Sequence, residues 1–358
     1  MKAILSMALV IIGTASLAQD PVIATNPFAL SVYIESYFTY DFNKPVDNNR
    51  PGFIYSHNRH NEFNVNLGYI KASYTTDKIR GNLAIATGTY MNANYAAETG
   101  VLKNAYEANA GFKIGKKNLW LDAGIFPSHI GFESAVGKDN WTLTRSMVAD
   151  NSPYYEAGAK LSFTTDNNKW AFRVLALNGW QRIERVEGNS LLSFGTQITY
   201  SPTGKLTLNY STFIGTDKPD SVRQMRYYQN IYSVCQLSEV FGITAGFDIG
   251  MEEKSNLNSD MNTWCSPVLI VKFDLSPKFS LTARGEYYQD EKEVIISTGT
   301  PNGFKTTGIS LNVDYAPSPG MLFRIEGRSL NSKDDIFVKG NSVNNTNSFI
   351  TMAFALSF

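Results

Sequence analysis

A chain of 358 residues would ordinarily hold two domains, but only 18% of its residues are charged and 13% are aromatic, where soluble globular proteins carry about 25% charge. Lysine plus arginine balances aspartate plus glutamate, 32 against 32, which offers no basic surface for nucleic acid. Past the N-terminus no uninterrupted apolar run is long enough for a membrane helix, so a helical span is excluded.

The N-terminus reads as a secretory signal over residues 1–18: Lys2, an apolar run from Ile4 to Ile12, and the small-x-small site Ser16-Leu17-Ala18. Its removal takes away one base and no acid, leaving a mature chain of net charge −1. Residues 19–27 form a short periplasmic lead into a repeating unit that starts at Phe28. The first strand, 28–41, places Leu30, Val32, Ile34, Phe38 and Tyr40 on one face and Tyr33, Glu35, Tyr37 and Thr39 on the other. The second sets Phe63, Val65, Leu67 and Tyr69 against Glu62, Asn64, Asn66 and Gly68. Side chains alternate across a strand, so each segment has one apolar and one polar wall.

Short turns follow near 75–78, 115–118, 164–169, 201–204, 236–239, 275–278 and 316–319, rich in the Gly, Pro, Asn, Asp and Ser that tight reversals need. Longer connections fall near 42–61, 92–104, 127–152, 178–190, 215–224, 252–262, 290–303 and 330–347. Seven turns and eight loops give about sixteen strands, with fourteen or eighteen left open because 225–236 alternates poorly. Strict short–long alternation is the pattern of outer-membrane barrels, with short periplasmic turns and long external loops. The expected fold is all-β, a closed antiparallel transmembrane barrel over 28–358. Only a sheet closed on itself satisfies its backbone groups in lipid. A soluble sandwich or solenoid also alternates, but does not call for an export signal and aromatic strand ends together.

The faces agree with that fold. Leu281, Ala283 and Tyr287 oppose Thr282, Arg284, Glu286 and Tyr288, and Phe323 and Ile325 oppose Arg324, Glu326 and Arg328. A basic residue at mid-bilayer on the lipid face costs about 2–4 kcal/mol, so the charges belong inside. Trp170, Tyr200, Phe279 and Tyr315 are expected in a turn-side aromatic ring, and Tyr40, Tyr106, Tyr155 and Tyr287 in a loop-side ring. Ile350, Met352, Phe354, Leu356 and Phe358 make the last strand's apolar face. Cys235 and Cys265 fall at opposite strand ends, too far apart for a bridge.

Sixteen strands enclose water rather than a packed core. The lining charges are of mixed sign: Glu35, Arg80, Glu107, Lys113, Asp122, Glu156, Lys160, Arg173, Asp248, Arg284, Glu286, Arg324, Glu326 and Arg328. Such mixtures give weak selectivity and transverse fields. The loop at 127–152 is too apolar and aromatic to wave in water. It either folds inward, setting Glu133, Lys138, Asp139, Arg145 and Asp150 at a constriction, or packs on its external neighbours. Were it inside, Arg145→Glu should move selectivity toward cations. His57-x-x-His60 lacks a third metal ligand. His129 with Ser128 or Ser146 would be the pair of a nucleophilic hydrolase, but no Gly-x-Ser-x-Gly elbow is present. No cofactor motif occurs, and the chain does not read as an enzyme.

The runs Phe53 to Glu62, Asn104 to Asn109 and Thr144 to Glu156 resemble the OmpL-like β-barrel porins of Gram-negative outer membranes. The resemblance extends over most of the mature chain and implies passive passage of small solutes, with no catalytic residue to carry over. It also makes the last strand, ending in Phe358, similar to the signal read by the outer-membrane assembly machinery. The expected partners are outer-membrane lipid, that machinery and small solutes. The outward apolar face suits lipid or the sister chains of a homotrimer equally. The rival function is a structural or adhesive barrel whose loops bind partners.

Overall fold

The computed structural model describes residues 26–255 and 258–358, with only the backbone of Asn258 and Ser259; the expected signal peptide lies outside them. In chain order the strands are β1 (Phe28–Asp41), β2 (Phe63–Thr75), β3 (Ile79–Thr87), β4 (Ala105–Lys113), β5 (Leu119–Pro127), β6 (Tyr155–Thr164), β7 (Trp170–Leu177), β8 (Ser193–Thr203) and β9 (Leu206–Gly215). They continue with β10 (Arg226–Gln236), β11 (Phe241–Ser255), β12 (Asn258–Asp274), β13 (Phe279–Asp290), β14 (Phe304–Tyr315), β15 (Met321–Ser332), β16 (Phe337–Lys339), β17 (Ser342–Asn344) and β18 (Thr346–Ser357). Two short helices, α1 (Thr89–Asn94) and α2 (Met147–Asp150), lie in connections.

Sixteen of these strands close into an antiparallel barrel, and β16–β17 form a separate small hairpin. Closure joins β1 to β18, with Tyr33 opposite Ser357 and Asp41 opposite Phe349. Each strand therefore has two hydrogen-bonded neighbours, and no sheet edge is left to lipid. The doubtful segment at 225–236 is a full strand, paired along its length to β9 and β11. It alternated poorly because Tyr227 and Ile231 face out while Tyr228 and Tyr232 are buried within. The connection expected at 252–262 is a continuation of β11 and β12, paired out to Ser255 opposite Asn258.

The outer wall carries exposed Leu83, Ile85, Val174, Leu269, Ile309 and Leu311. At the turn side the rings of Trp170 and Tyr200 stand 4.2 Å apart, those of Phe279 and Tyr315 4.5 Å, and those of Phe323 and Phe354 4.6 Å. This is the interfacial aromatic ring the sequence called for. The loop-side ring departs from expectation. Tyr155 is buried, stacked on Tyr95 at 3.9 Å and donating to Glu98, and Tyr106 stacks on Tyr69 at 5.4 Å.

The second strand also differs. Its register slips between Glu35 and Ser36, which face Leu67 and Val65 and leave Asn66 as an extra residue. A bulge of one residue reverses the faces beyond it. Phe63 is thus 87% exposed while Leu67 is fully buried, and Tyr69 lies 5.6 Å from Tyr33. Cys235 and Cys265 are both free.

Close approach of β4 to β5 depends on Gly124, at φ +124°, where a Cβ would sit 2.1 Å from the carbonyl oxygen of Ala108. Gly124→Ala should cost about 1–3 kcal/mol in backbone strain alone. The fraction of chains reaching the compact, heat-modifiable barrel on a denaturing gel is expected to fall accordingly.

Candidate functional site

The interior is wet only in part. Phe126, Leu175, Leu177, Phe213, Tyr228, Trp264, Tyr288, Phe304, Leu330 and Phe349 point inward at the loop-side strand ends and are buried. Connecting segments cover them with Phe53, Ile54, Ile130, Met147, Ile296 and Phe337. Apolar surface this extensive is removed from water only by packing on itself. The loop-side lumen is therefore largely a hydrophobic core, which corrects the expectation of enclosed water in place of a packed core at that end.

The connection from β5 to β6 turns into the barrel at His129. Its Nδ1 lies 2.8 Å from Glu156 Oε1, its Nε2 lies 2.8 Å from the carbonyl of Thr212, and its own carbonyl accepts from Gln197 and Ser211. Both ring nitrogens are thus engaged, which leaves His129 no free nitrogen to act as base for Ser128 or Ser146. The chain then crosses the lumen to the wall that stands opposite β5 in the closed order. Arg324 donates to the carbonyls of Gly137 and Asn140 at 2.7 and 2.9 Å. Leu143 N donates to Asn312 at 3.1 Å, Thr144 N to Glu326 at 2.6 Å, and Met147 N to Glu286 at 2.6 Å. Arg284 donates to the hydroxyl of Thr142 and the carbonyl of Thr144 at 2.9 and 2.6 Å. Of the two placements open to this loop, the structure has the inner one.

This placement separates the expected site residues into two groups. Arg284, Glu286, Arg324 and Arg328 do face inward, but the loop covers them: all four are buried in ion pairs, Arg284 with Glu326 at 2.9 Å, Arg328 with Glu286 at 2.6 Å and Arg324 with Asp314 at 2.7 Å. They fasten the loop and do not line open water. Glu133 belongs with them, its carboxylate accepting from Ser146 N at 3.1 Å. Burial pushes its carboxyl above the ordinary value, against the opposing pull of Arg284. Arg145 is fully buried and donates to the carbonyls of Ser134, Leu143 and Ala135 at 2.8, 2.7 and 2.9 Å. It braces the loop, so Arg145→Glu would act by displacing the loop instead of by reversing a lumen charge. Asp150 and Glu156 are likewise buried. Lys138 and Asp139, at the short turn by the hydroxyl of Tyr33, are exposed.

The second group lies on the wall left uncovered. Lys71 on β2, Arg80 on β3, Lys113 on β4, Lys160 on β6 and Arg173 on β7 share the inner face, as their registers show. They are partly exposed. Glu107 pairs with Lys71, and Asp122 clasps Arg80 through both oxygens at 2.7 and 2.5 Å. The basic side chains of this sector outnumber its carboxylates Glu107, Asp122 and Glu156. Lys71 escaped notice in the sequence because uninterrupted alternation from Phe63 would put it on the outer face, and only the bulge in β2 brings it inside.

The other histidines are structural. His57 Nε2 lies 2.9 Å from Glu35, and His60 Nδ1 accepts from the backbone of Asp41 at 2.9 Å. Among the described residues no group of three or more His, Cys, Asp or Glu is placed to hold a metal ion.

A family model described as "Putative beta-barrel porin-2, OmpL-like" matches residues 27–358. No curated protein matches the chain. Among solved structures, OmpF of Salmonella typhi in complex with daunomycin superposes with a TM-score of 0.63 at 9% identity, over 93% of this chain and 98% of that one. An anion-selective porin from Comamonas acidovorans gives 0.61 at 9% identity, over 92% and 99%. The trimer form of OmpT of Vibrio cholerae gives 0.59 at 10% identity, over 92% and 99%. At such identities the likeness is one of fold.

Proposed function

The chain belongs to the OmpL-like β-barrel porin family and is a porin of the Gram-negative outer membrane, and we propose that it passes small hydrophilic solutes by diffusion with a preference for anions. One observation carries the reading: the inner loop is fastened to the β13–β15 wall, so the path left to water runs along the facing wall, where Lys71, Arg80, Lys113, Lys160 and Arg173 predominate. Side chains of one sign lining a narrowed pore raise the local concentration of the opposite ion. That the porin of Comamonas acidovorans, which shares the fold, is anion-selective supports the assignment.

The loop's exposed turn at Lys138 and Asp139 forms one side of the constriction, and the basic wall forms the other. Catalysis has no part in this reading. The apolar outer face meets lipid, the last strand is the segment offered to the assembly machinery, and a homotrimer is the proposed assembly, in keeping with the trimeric neighbour.

Purified protein in a planar bilayer under a tenfold KCl gradient tests the preference. The reversal potential should take the anion sign, at some fraction of the ~59 mV limit for perfect selectivity. Lys160→Glu combined with Arg173→Glu should carry it to the cation side. A wild-type channel already on the cation side would remove the proposal, and one without stepwise conductance would favour the adhesive barrel.

A further inference from the structure

We propose that the inner face of β6 holds a binding step for a phosphoryl dianion, centred on the hydroxyl of Ser162. The inference rests on the anion-preferring lumen and narrows it to a substrate class. Three cations lie about this point, on three strands. Arg80 reaches across from β3, its Nη2 donating to Ser162 Oγ at 3.3 Å. Arg173 on β7 stands opposite Ser162 in the register and donates its Nη1 to Gln197 Oε1 on β8. Lys160 lies two residues along the same face of β6, diagonal to Arg173, a separation of about 7–8 Å between backbones that long side chains bridge.

Counter-charge at the point is short. Asp122 faces Lys160 across the β5–β6 ladder. Both of its oxygens are engaged by Arg80, whose Nη2 reaches Asp122 as well as Ser162. Lys160 pairs with no carboxylate among the described residues and rests its ammonium 4.4 Å from the ring of Phe126. Glu156 is held by His129. Below the cluster the ring of Trp120, whose residue stands opposite Ser162, lies 4.4 Å from the Arg80 guanidinium and 5.8 Å from the Lys113 ammonium.

Like charges brought together at a partly buried wall repel, and a ligand of charge −2 relieves that repulsion where one of charge −1 does so only in part. The donor set is a planar guanidinium, an ammonium and a hydroxyl approaching from different sides. Several acceptor oxygens arranged about one centre satisfy it better than the two coplanar oxygens of a carboxylate. A phosphoryl group has that arrangement.

Single-channel recording in KCl at pH 8, where phosphate is mainly dianionic, tests the site. Inorganic phosphate should reduce the chloride current at a concentration at least about tenfold below that of acetate, the ratio that one charge-assisted hydrogen bond commands. Lys160→Gln should raise the half-blocking concentration of phosphate about tenfold and Ser162→Ala about fivefold, with heat-modifiable mobility confirming a closed barrel in each. Block by glycerol 3-phosphate as well would extend the site to phosphate esters, and block by phosphate alone would limit it to the free ion. If phosphate blocks no better than acetate while the wild-type reversal potential keeps the anion sign, the site is overturned and the anion preference stands. A cation-side reversal potential removes both.

Discussion

Replacing Arg284 with alanine should free the inner loop from its wall and raise single-channel conductance. The guanidinium is the side chain that joins the loop to two wall carboxylates at once, beside the backbone contacts made by Leu143, Thr144 and Met147. It donates to Thr142 Oγ1, Thr144 O and Thr144 Oγ1 on the loop, and on the wall it lies 2.9 Å from Glu326 and 3.2 Å from Glu286. Glu133 is 3.9 Å away. Without it, these buried carboxylates lose the charge that compensates them, and breaking a buried pair from one side costs about 3–5 kcal/mol. Sixteen paired strands do not yield to that cost, whereas a loop held mainly by side chains does. The seated-to-released ratio should drop by a factor of about 10² or more. Limited trypsin digestion gives a second readout. Arg145, fully buried in the native barrel, should become a cleavage site in the variant. Unchanged conductance with Arg145 still protected would show that Arg284 does not hold the loop.

The sequence made the barrel legible because lipid imposes period two on every strand, and that signal survives in Ile350, Met352 and Phe354 against Thr351, Ala353 and Ala355. It failed where a second rule overrode the first. Asn66 is one extra residue, and nothing in the run from Phe63 to Tyr69 distinguishes a bulge from an uninterrupted strand. The dry interior was signalled only indirectly. Tyr227 with Tyr228, Tyr287 with Tyr288 and Phe349 with Ile350 put apolar or aromatic groups on both faces at the loop-side ends, and an inward aromatic there means that something covers it. Which segment does so is a long-range fact: Phe53 meets Phe304 with ring centres 4.7 Å apart, across most of the chain. The charges were placed on the correct side of the sheet, yet their division into loop fasteners and pore lining follows from where 128–154 lands. No local pattern encodes that landing.

The seat of the loop should also weaken as pH rises, through Asp150. This residue ends α2 within the inner loop, it is 4% exposed, and its Oδ1 has no hydrogen-bond partner. Burial pushes its carboxyl up to about 7, the positive fields of Arg328 and Arg145 opposing that rise and the negative field of Glu133 adding to it. An acid raised above its unfolded value, near 3.9, binds its proton more tightly in the native state. The unfolded chain releases that proton first, so native stability falls as pH climbs from about 4 to about 7 and stays reduced above. The loss approaches about 4 kcal/mol as an upper bound, because each tenfold gain in proton affinity on folding is worth ~1.36 kcal/mol. Asp150→Asn keeps the shape and removes the charge. In urea titrations of the barrel in lipid vesicles, the variant should match the wild type at pH 4 and exceed it at pH 8. A difference of equal size at both values would assign the effect to packing around α2 and not to the ionised carboxylate. The same titration links stability to conductance: Met147, three residues before Asp150, donates its amide to Glu286, so an ionised Asp150 strains the contact that holds the loop against β13. Wild-type channels should therefore visit a wider open level more often at pH 8 than at pH 5, and Asp150→Asn channels should not.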